Sequence, residues 1–277
     1  MSSDVQDAGW RQTFALSALI LSVLAVIWFL AAALGTKFGL WGWQFGLGQM
    51  YFSWGPIVVG ITGAVALAAL VVSLIGAPRK RPFMLALGAL FISGALIGRL
   101  FGLAAGAQSL PPIHDVQTDW ERPVAFSQTL LDARETAGAL NQVLANPVIP
   151  DGANARWPGM GGMSNADAQA GAIEEERYEA IAPLTVGDAP GAVFDRAMGV
   201  VERRGWEVVT SDKAAGVIEA TETSFWFGFK DDVAIRITAE GAGSRVDMRS
   251  VSRVGLSDLG ANQKRIYLFL QDVNASR

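Results

Sequence analysis

The sequence predicts a two-part chain: an all-α membrane part of three helices, then an α+β part whose antiparallel sheet of four to five strands carries helices on one face. Three observations carry this. Long apolar stretches with almost no charge fill residues 1–107, and nearly all the acidic residues follow them. From Pro183 onward, period-two and period-three-to-four patterns succeed one another in the order strand, helix, four strands, helix.

A bilayer's hydrocarbon core is roughly 30 Å thick and asks for about 20 apolar residues per helix. Phe14 to about Leu34, Pro56 to Gly76 and Phe83 to Ala105 each meet that length. Every backbone donor and acceptor inside the bilayer must be satisfied within its own segment, which makes all three helical. A cleaved leader ending near Ala31-Ala32-Ala33 is the competing reading of the first stretch. Its apolar run is longer than a signal core, and two more spans follow. Between the first two spans, Trp41, Trp43, Phe45, Tyr51 and Trp54 alternate with glycines, a composition suited to the headgroup level.

The short loop Arg79-Lys80-Arg81 holds three consecutive positive charges and belongs in the cytoplasm. Three spans then put the N-terminus inside and the polar part outside a plasma membrane, in the periplasm of a Gram-negative bacterium. Arg99 is the one charge inside a span. It lies about 24 Å along a helix from Phe83, close to the outer interface, where it either snorkels or meets a lipid phosphate.

Residues 1–107 contain six Lys/Arg and two Asp/Glu, a net of +4. The chain totals of 22 basic and 26 acidic residues leave 16 and 24, a net of −8, for residues 108–277. Such an acidic part excludes nucleic acid as partner, because phosphate backbones are bound through Lys/Arg excess. The partners expected are the lipid bilayer, an anionic lipid or envelope precursor, and another membrane protein. The absence of cysteine is compatible with any redox compartment.

Residues 108–182 read as a stalk and lead-in. Ser109 to Ile113 is extended, since Pro111 and Pro112 fix φ. A helix is expected from Phe126 to Leu144, a loop over Asp151 to Ser164, and a helix from Asn165 to about Ile181. Residues 183–277 form the core of this part. They give a strand at Leu184 to Val186 and a helix opened by Asp188 and Pro190, with Val193, Phe194, Ala197, Met198 and Val201 on one face. Strands are expected near Trp206–Thr210, Val217–Thr223, Asp232–Thr238 and Arg245–Val254, and a last helix from about Ser257.

Alternation along Val233 to Ile237 sends Asp232, Ala234 and Arg236 away from the helices. On the next strand Asp247, Arg249, Val251 and Arg253 join them, and the intervening turn sets Arg236 opposite Asp247. Two readings stay open for this charged face. One is a solvated surface laced by ion pairs. The other is an anion-binding groove, because guanidinium forks match phosphate and carboxylate oxygens.

By these residues the chain resembles the bacterial and plastid family catalogued as domain of unknown function 1499. The matching words are Pro111-Pro112-Ile113-His114-Asp115-Val116-Gln117-Thr118-Asp119, Ile218-Glu219-Ala220-Thr221, Phe227-Gly228-Phe229-Lys230-Asp231-Asp232, the run from Asp247 to Gly255, and the run from Ser257 to Ile266. They span residues 109 to 272, and the apolar N-terminal part looks like a membrane extension of such a domain. The resemblance implies no activity.

The expected ligand-binding set is Arg236, Arg249, Arg253 and Asp232, with His114 and Asp115 hydrogen-bonded to each other where the stalk meets the domain. One imidazole and no thiol make a metal site a poor expectation, and no cofactor is implied. Asp231 and Asp232, adjacent on a strand, point to opposite faces; Asp231 is expected to serve a turn or Lys230. Ser257-Asp258 is expected to cap the last helix, the alternative being a phosphate site at its N-terminus. The rings of Phe225, Trp226, Phe227 and Phe229 belong partly to the core and partly to a tip that dips into the outer leaflet. A non-catalytic, membrane-anchored binding or envelope-maintenance module is the favoured function. A carboxylate-dependent hydrolase at the membrane surface, using Asp231 or Asp232, is the alternative.

Overall fold

The computed structural model describes residues 2–75, 77 and 79–276. Gly76, the expected end of the second span, lies outside them. By contacts the chain divides into two units, Met1–Ala105 with Phe225–Gly228, and Gly106–Ser224 with Phe229–Arg277.

The first unit holds α1 (Ser2–Lys37), a π-helical stretch Gln44–Trp54 running directly into α2 (Gly55–Ile75), and most of α3 (Lys80–Ser109). Among the described residues, three helices are long and apolar enough to cross a membrane, at Gly9–Lys37, Gln44–Ile75 and Lys80–Ser109. Small side chains let them approach: Ala15, Ala18, Ala66, Ala69, Ala86 and Ala89 form their shared core. Inside it, the Ser22 and Ser93 hydroxyls meet at 3.0 Å. The aromatic stretch after the first span is helical and folds back along α1. Trp28 Nε1 donates to Met50 O (3.1 Å), and the Phe29 and Tyr51 rings meet edge to face at 5.0 Å.

In the second unit six strands build one antiparallel sheet: β1 (Asp115–Gln117), β2 (Leu184–Val186), β3 (Glu207–Asp212), β4 (Val217–Thr223), β5 (Lys230–Glu240) and β6 (Gly243–Ser252). The order is β1-β6-β5-β4-β3, and β2 lies beside β1 along the same edge of β6. The expected fold class holds, with one strand more. The addition comes from the presumed stalk: α3 continues to Ser109, and the chain after the two prolines pairs Asp115 with Val251. Residues 106–182 are thereby built into the domain. Gln169 substitutes for a further strand on β1, accepting from Gln117 N (3.3 Å) and donating to Gln117 O (2.9 Å).

One face of the sheet is apolar. Val233, Ile235, Ile237, Val246 and Met248 pack against α6 (Pro190–Arg203) and α7 (Ala261–Ala275) through Val193, Phe194, Ala197, Val201, Ile266 and Phe269. Trp206 stacks on Phe269 at 5.6 Å. The close β4–β5 pairing needs Gly216, whose φ is +68° and whose Cβ would lie 2.1 Å from Ile237 O.

The opposite face is not solvated, which corrects the first of the two readings above. Residues 118–147 cross it as a strap around α4 (Gln128–Thr136), and Val124, Phe126 and Leu130 bury Ala234 and Val251. The helix expected as far as Leu144 stops eight residues sooner because Gly138 turns left-handed (φ +68°). Beyond it, the amides of Leu140 and Asn141 both donate to Arg253 O, at 2.8 and 3.1 Å. The helix expected to reach Ile181, here α5 (Asn165–Glu174), likewise ends early, at a reversal through Glu176 (φ 56°).

Candidate functional site

The strap closes over a layer of charges set by strand alternation. Register puts Asp232 beside Thr221 and Val251, Ala234 beside Arg249, and Arg236 beside Asp247. All of these point to the strap side, as the sequence requires.

Two buried ion-pair centres lie beneath the strap. At the first, Arg249 grips Asp115 with a fork, Nε to Oδ1 at 2.9 Å and Nη2 to Oδ2 at 2.5 Å. Its remaining donors reach Val124 O and Leu144 O on the strap. At the second, Arg253 grips Asp232 with two bonds of 2.8 Å, while Arg134 from α4 (2.5 Å) and the Thr221 hydroxyl (2.6 Å) complete the carboxylate. Arg249 is 2% exposed, Arg253 7%, and both aspartates 0%. The Phe126 ring lies between the centres, 5.8 Å from the guanidinium carbons of Arg134 and Arg249. Burial pushes the Asp232 carboxyl up, but the hydrogen bonds from Arg253 and Thr221 and the two guanidinium charges hold it below its ordinary value.

Glu219 on β4 is a third buried carboxylate, and its partner is the start of α4. Ser127 N and Ser127 Oγ each donate to it at 2.5 Å, and Ser127 Oγ also accepts from Leu130 N (3.2 Å) as the helix cap. The amides and positive dipole end of α4 therefore stand where a cation would otherwise be needed.

Towards one edge the layer opens into a rim. Arg236 bonds Asp247 (3.2 Å) and the carbonyls of Arg122 and Pro123. Arg245 holds Asp247 and Asp119, and Asp119 also holds Arg122. The Arg236 side chain is 28% exposed and that of Arg122 57%. Of the three arginines expected to line a groove, Arg236 is therefore the one solvent reaches, and it is joined by Arg122 and Arg245.

On the helix side, Asp231 pairs with Arg265 of α7 at 2.5 Å, rather than with a turn or Lys230. Arg265 also binds Glu222, Ser250 Oγ and Asn262 Oδ1. The adjacent aspartates thus serve two different faces, as expected. His114 and Asp115 do not bond each other: Asp115 is held by Arg249, and His114 Nδ1 is buried with no hydrogen-bond partner among the described residues. Burial lowers the imidazole's pKa, with Asp115 opposing it, so the ring is neutral at pH 7. Of the expected Ser257-Asp258 cap, Asp258 supplies the acceptor at the start of α7, accepting from Gly260 N and Asn262 N, each at 2.8 Å. Those amides are thereby occupied. At the β4–β5 turn Phe225 is 70% and Trp226 52% exposed.

The participants missed in the sequence include Arg122 and Arg245 at the rim, and Arg134, Glu219 and Arg265. Arg134 interrupts the stripe of Phe126 and Leu130 one turn on, and a charge inside an apolar stripe was the available signal. Glu219 sits between Ile218 and Ala220 and Arg265 between Lys264 and Ile266, and only the pairing of distant segments reveals what neutralises them. Among the described residues no group of three His, Cys, Asp or Glu is placed to hold a metal ion. Residues 115–273 match the model of a family described as "Protein of unknown function (DUF1499)". No curated protein matches the chain.

Proposed function

Because the chain belongs to the DUF1499 family, whose description assigns no activity, we propose its function from geometry: a membrane-anchored module that binds an anionic envelope component, lipid or precursor, or a protein partner, at the rim of its sheet. The observation that carries this reading is the contrast across the charged layer. Beneath the strap the guanidiniums are saturated by carboxylates and carbonyls. At the rim, Arg122, Arg236 and Arg245 face the carboxylates of Asp119 and Asp247 and, at 4.0 Å from Arg245, that of Glu240, and they remain within reach of solvent. Arg249, Arg253, Asp115 and Asp232 act in this reading as the buried support that fixes the sheet and strap behind the rim. His114 is part of the seam between β1 and α7, where its carbonyl accepts from Asn262 Nδ2.

The same contrast speaks against the hydrolase alternative. A general base works best with a pKa near the operating pH, and Asp232 is driven the other way. Exposed Phe225 and Trp226 suit an apolar or lipid surface. In this reading Arg79-Lys80-Arg81 lies in the cytoplasm and the α+β domain outside a bacterial plasma membrane, in the periplasm of a Gram-negative cell.

Native mass spectrometry of the full-length protein, extracted gently from its own membrane beside an Arg122→Ala/Arg236→Ala variant, tests the reading. A bound anion present in the first and lost in the second is expected. Retention in both overturns the rim. A bare protein in both overturns the anionic ligand in favour of a protein partner or an enzyme.

A further inference from the structure

Arg99 lies on the exposed surface of α3, inside a segment apolar enough to span a membrane, and among the described residues it makes no hydrogen bond or ion pair. An unpaired guanidinium at bilayer depth is costly, so its five donors must find water or an anion. Its surroundings favour an anion held at a fixed depth. Tyr51 stands within electrostatic reach of it. Tyr51 itself belongs to an aromatic cluster, meeting Phe29 at 5.0 Å and Phe52 at 5.3 Å, a composition typical of the headgroup level. On α3, Gly98 and Gly102 flank Arg99, and the position of a Cβ on either meets nothing within 4 Å. The helix surface beside the guanidinium is therefore open to a bulky group.

We propose that Arg99 binds the phosphate of an anionic phospholipid at the end of the three-helix unit remote from Arg79-Lys80-Arg81. A second copy of the chain packed along this face would bring Arg99 against Arg99, and like charges repel most where the dielectric is low. A lipid phosphate supplies the opposite charge and matches the guanidinium fork. A zwitterionic lipid carries its own cation beside the phosphate and competes poorly. The site rests on reading α1 to α3 as spans and is independent of the rim on the sheet.

The test is native mass spectrometry of the delipidated full-length protein in detergent, titrated separately with phosphatidylglycerol and phosphatidylcholine. Wild type, Arg99→Gln, Arg99→Lys and Arg236→Ala are compared. The tightest phosphatidylglycerol adduct is expected to weaken about tenfold in Arg99→Gln, in keeping with loss of one charge-assisted contact, and less in Arg99→Lys. An adduct that weakens in Arg236→Ala and not in Arg99→Gln belongs to the rim and overturns the Arg99 site, so the two sites can fail separately. Equal phosphatidylglycerol affinity in wild type and Arg99→Gln, or equal affinity of wild type for the two lipids, overturns the proposal.

Discussion

Arg134 of α4 and Asp232 of β5 are 98 residues apart in sequence and joined by a 2.5 Å ion pair that water does not reach. That contact fixes the strap to the sheet. The guanidinium carries the strap's second anchor as well, since its other terminal nitrogen donates to Asn141 O at 2.9 Å. Arg134→Met keeps the stem and removes the charge. It should destabilise the domain by about 2–3 kcal/mol, below the full cost of orphaning a buried charge because Arg253 still neutralises Asp232. In the full-length protein, hydrogen exchange should quicken over residues 118–147 before it quickens in β5 and β6. Simultaneous loss of protection in strap and sheet would show that the strap has no stability of its own.

The Asp115–Arg249 fork gives a sharper measurement, because the two residues neutralise chiefly each other. Removing one leaves an uncompensated charge; Arg249→Met alone should cost about 3–5 kcal/mol in denaturant midpoint experiments. Adding Asp115→Asn should recover at least about 1 kcal/mol of that loss, since neighbours in one pair are not additive. Strict additivity of the two changes would mean that the strap carbonyls of Val124 and Leu144, and not Asp115, are the important partners of Arg249.

How much of this was legible in sequence follows from the range of each interaction. Strand alternation placed Asp232, Arg236, Asp247, Arg249 and Arg253 on one face, and turn length put Arg236 opposite Asp247; both rules act over a few residues. What lay over that face was not legible. Phe126 and Leu130 look like any amphipathic helix stripe, and nothing local says that Arg134 on the same stripe will be neutralised by an aspartate 98 positions on. The strand at Asp115 was hidden for a related reason. Three residues are too few for a periodic signal, and Pro111 and Pro112 read equally well as stalk. Arg236 was named for the right face, while the exposure that separates it from Arg249 and Arg253 depends on where the strap ends.

Ser127 tests the carboxylate that has no cation. Ser127→Ala removes both the cap of α4 and one of the two donors to Glu219, and should cost about 1–2 kcal/mol. Ser127→Asp would be a good cap elsewhere, but here it sets a second anion against Glu219 and should be worse than alanine. Equal stabilities for the two variants, measured by thermal unfolding in detergent, would indicate that Glu219 does not repel a carboxylate at position 127.

Acid behaviour should separate two aspartates of opposite sign. Asp232 is held below its ordinary value, so the folded chain releases its proton more readily than the unfolded one. Its contribution is present above about pH 4 and is lost as the pH falls through the folded pKa. Asp258 is the reverse case. Burial beside Tyr178 and Asp231 pushes it from 3.8 to about 6, although the Gly260 and Asn262 amides and Arg265 pull it down. Between those values the folded chain binds the proton more tightly, so stability falls as pH rises from about 4 to about 6 and then levels off. Asp258→Asn keeps an oxygen for the cap and cannot ionise. The stability of that variant relative to wild type should therefore rise across the same interval and stay constant above it. A pH-independent difference between the two proteins would mean that Asp258 ionises in the folded chain as it does in water.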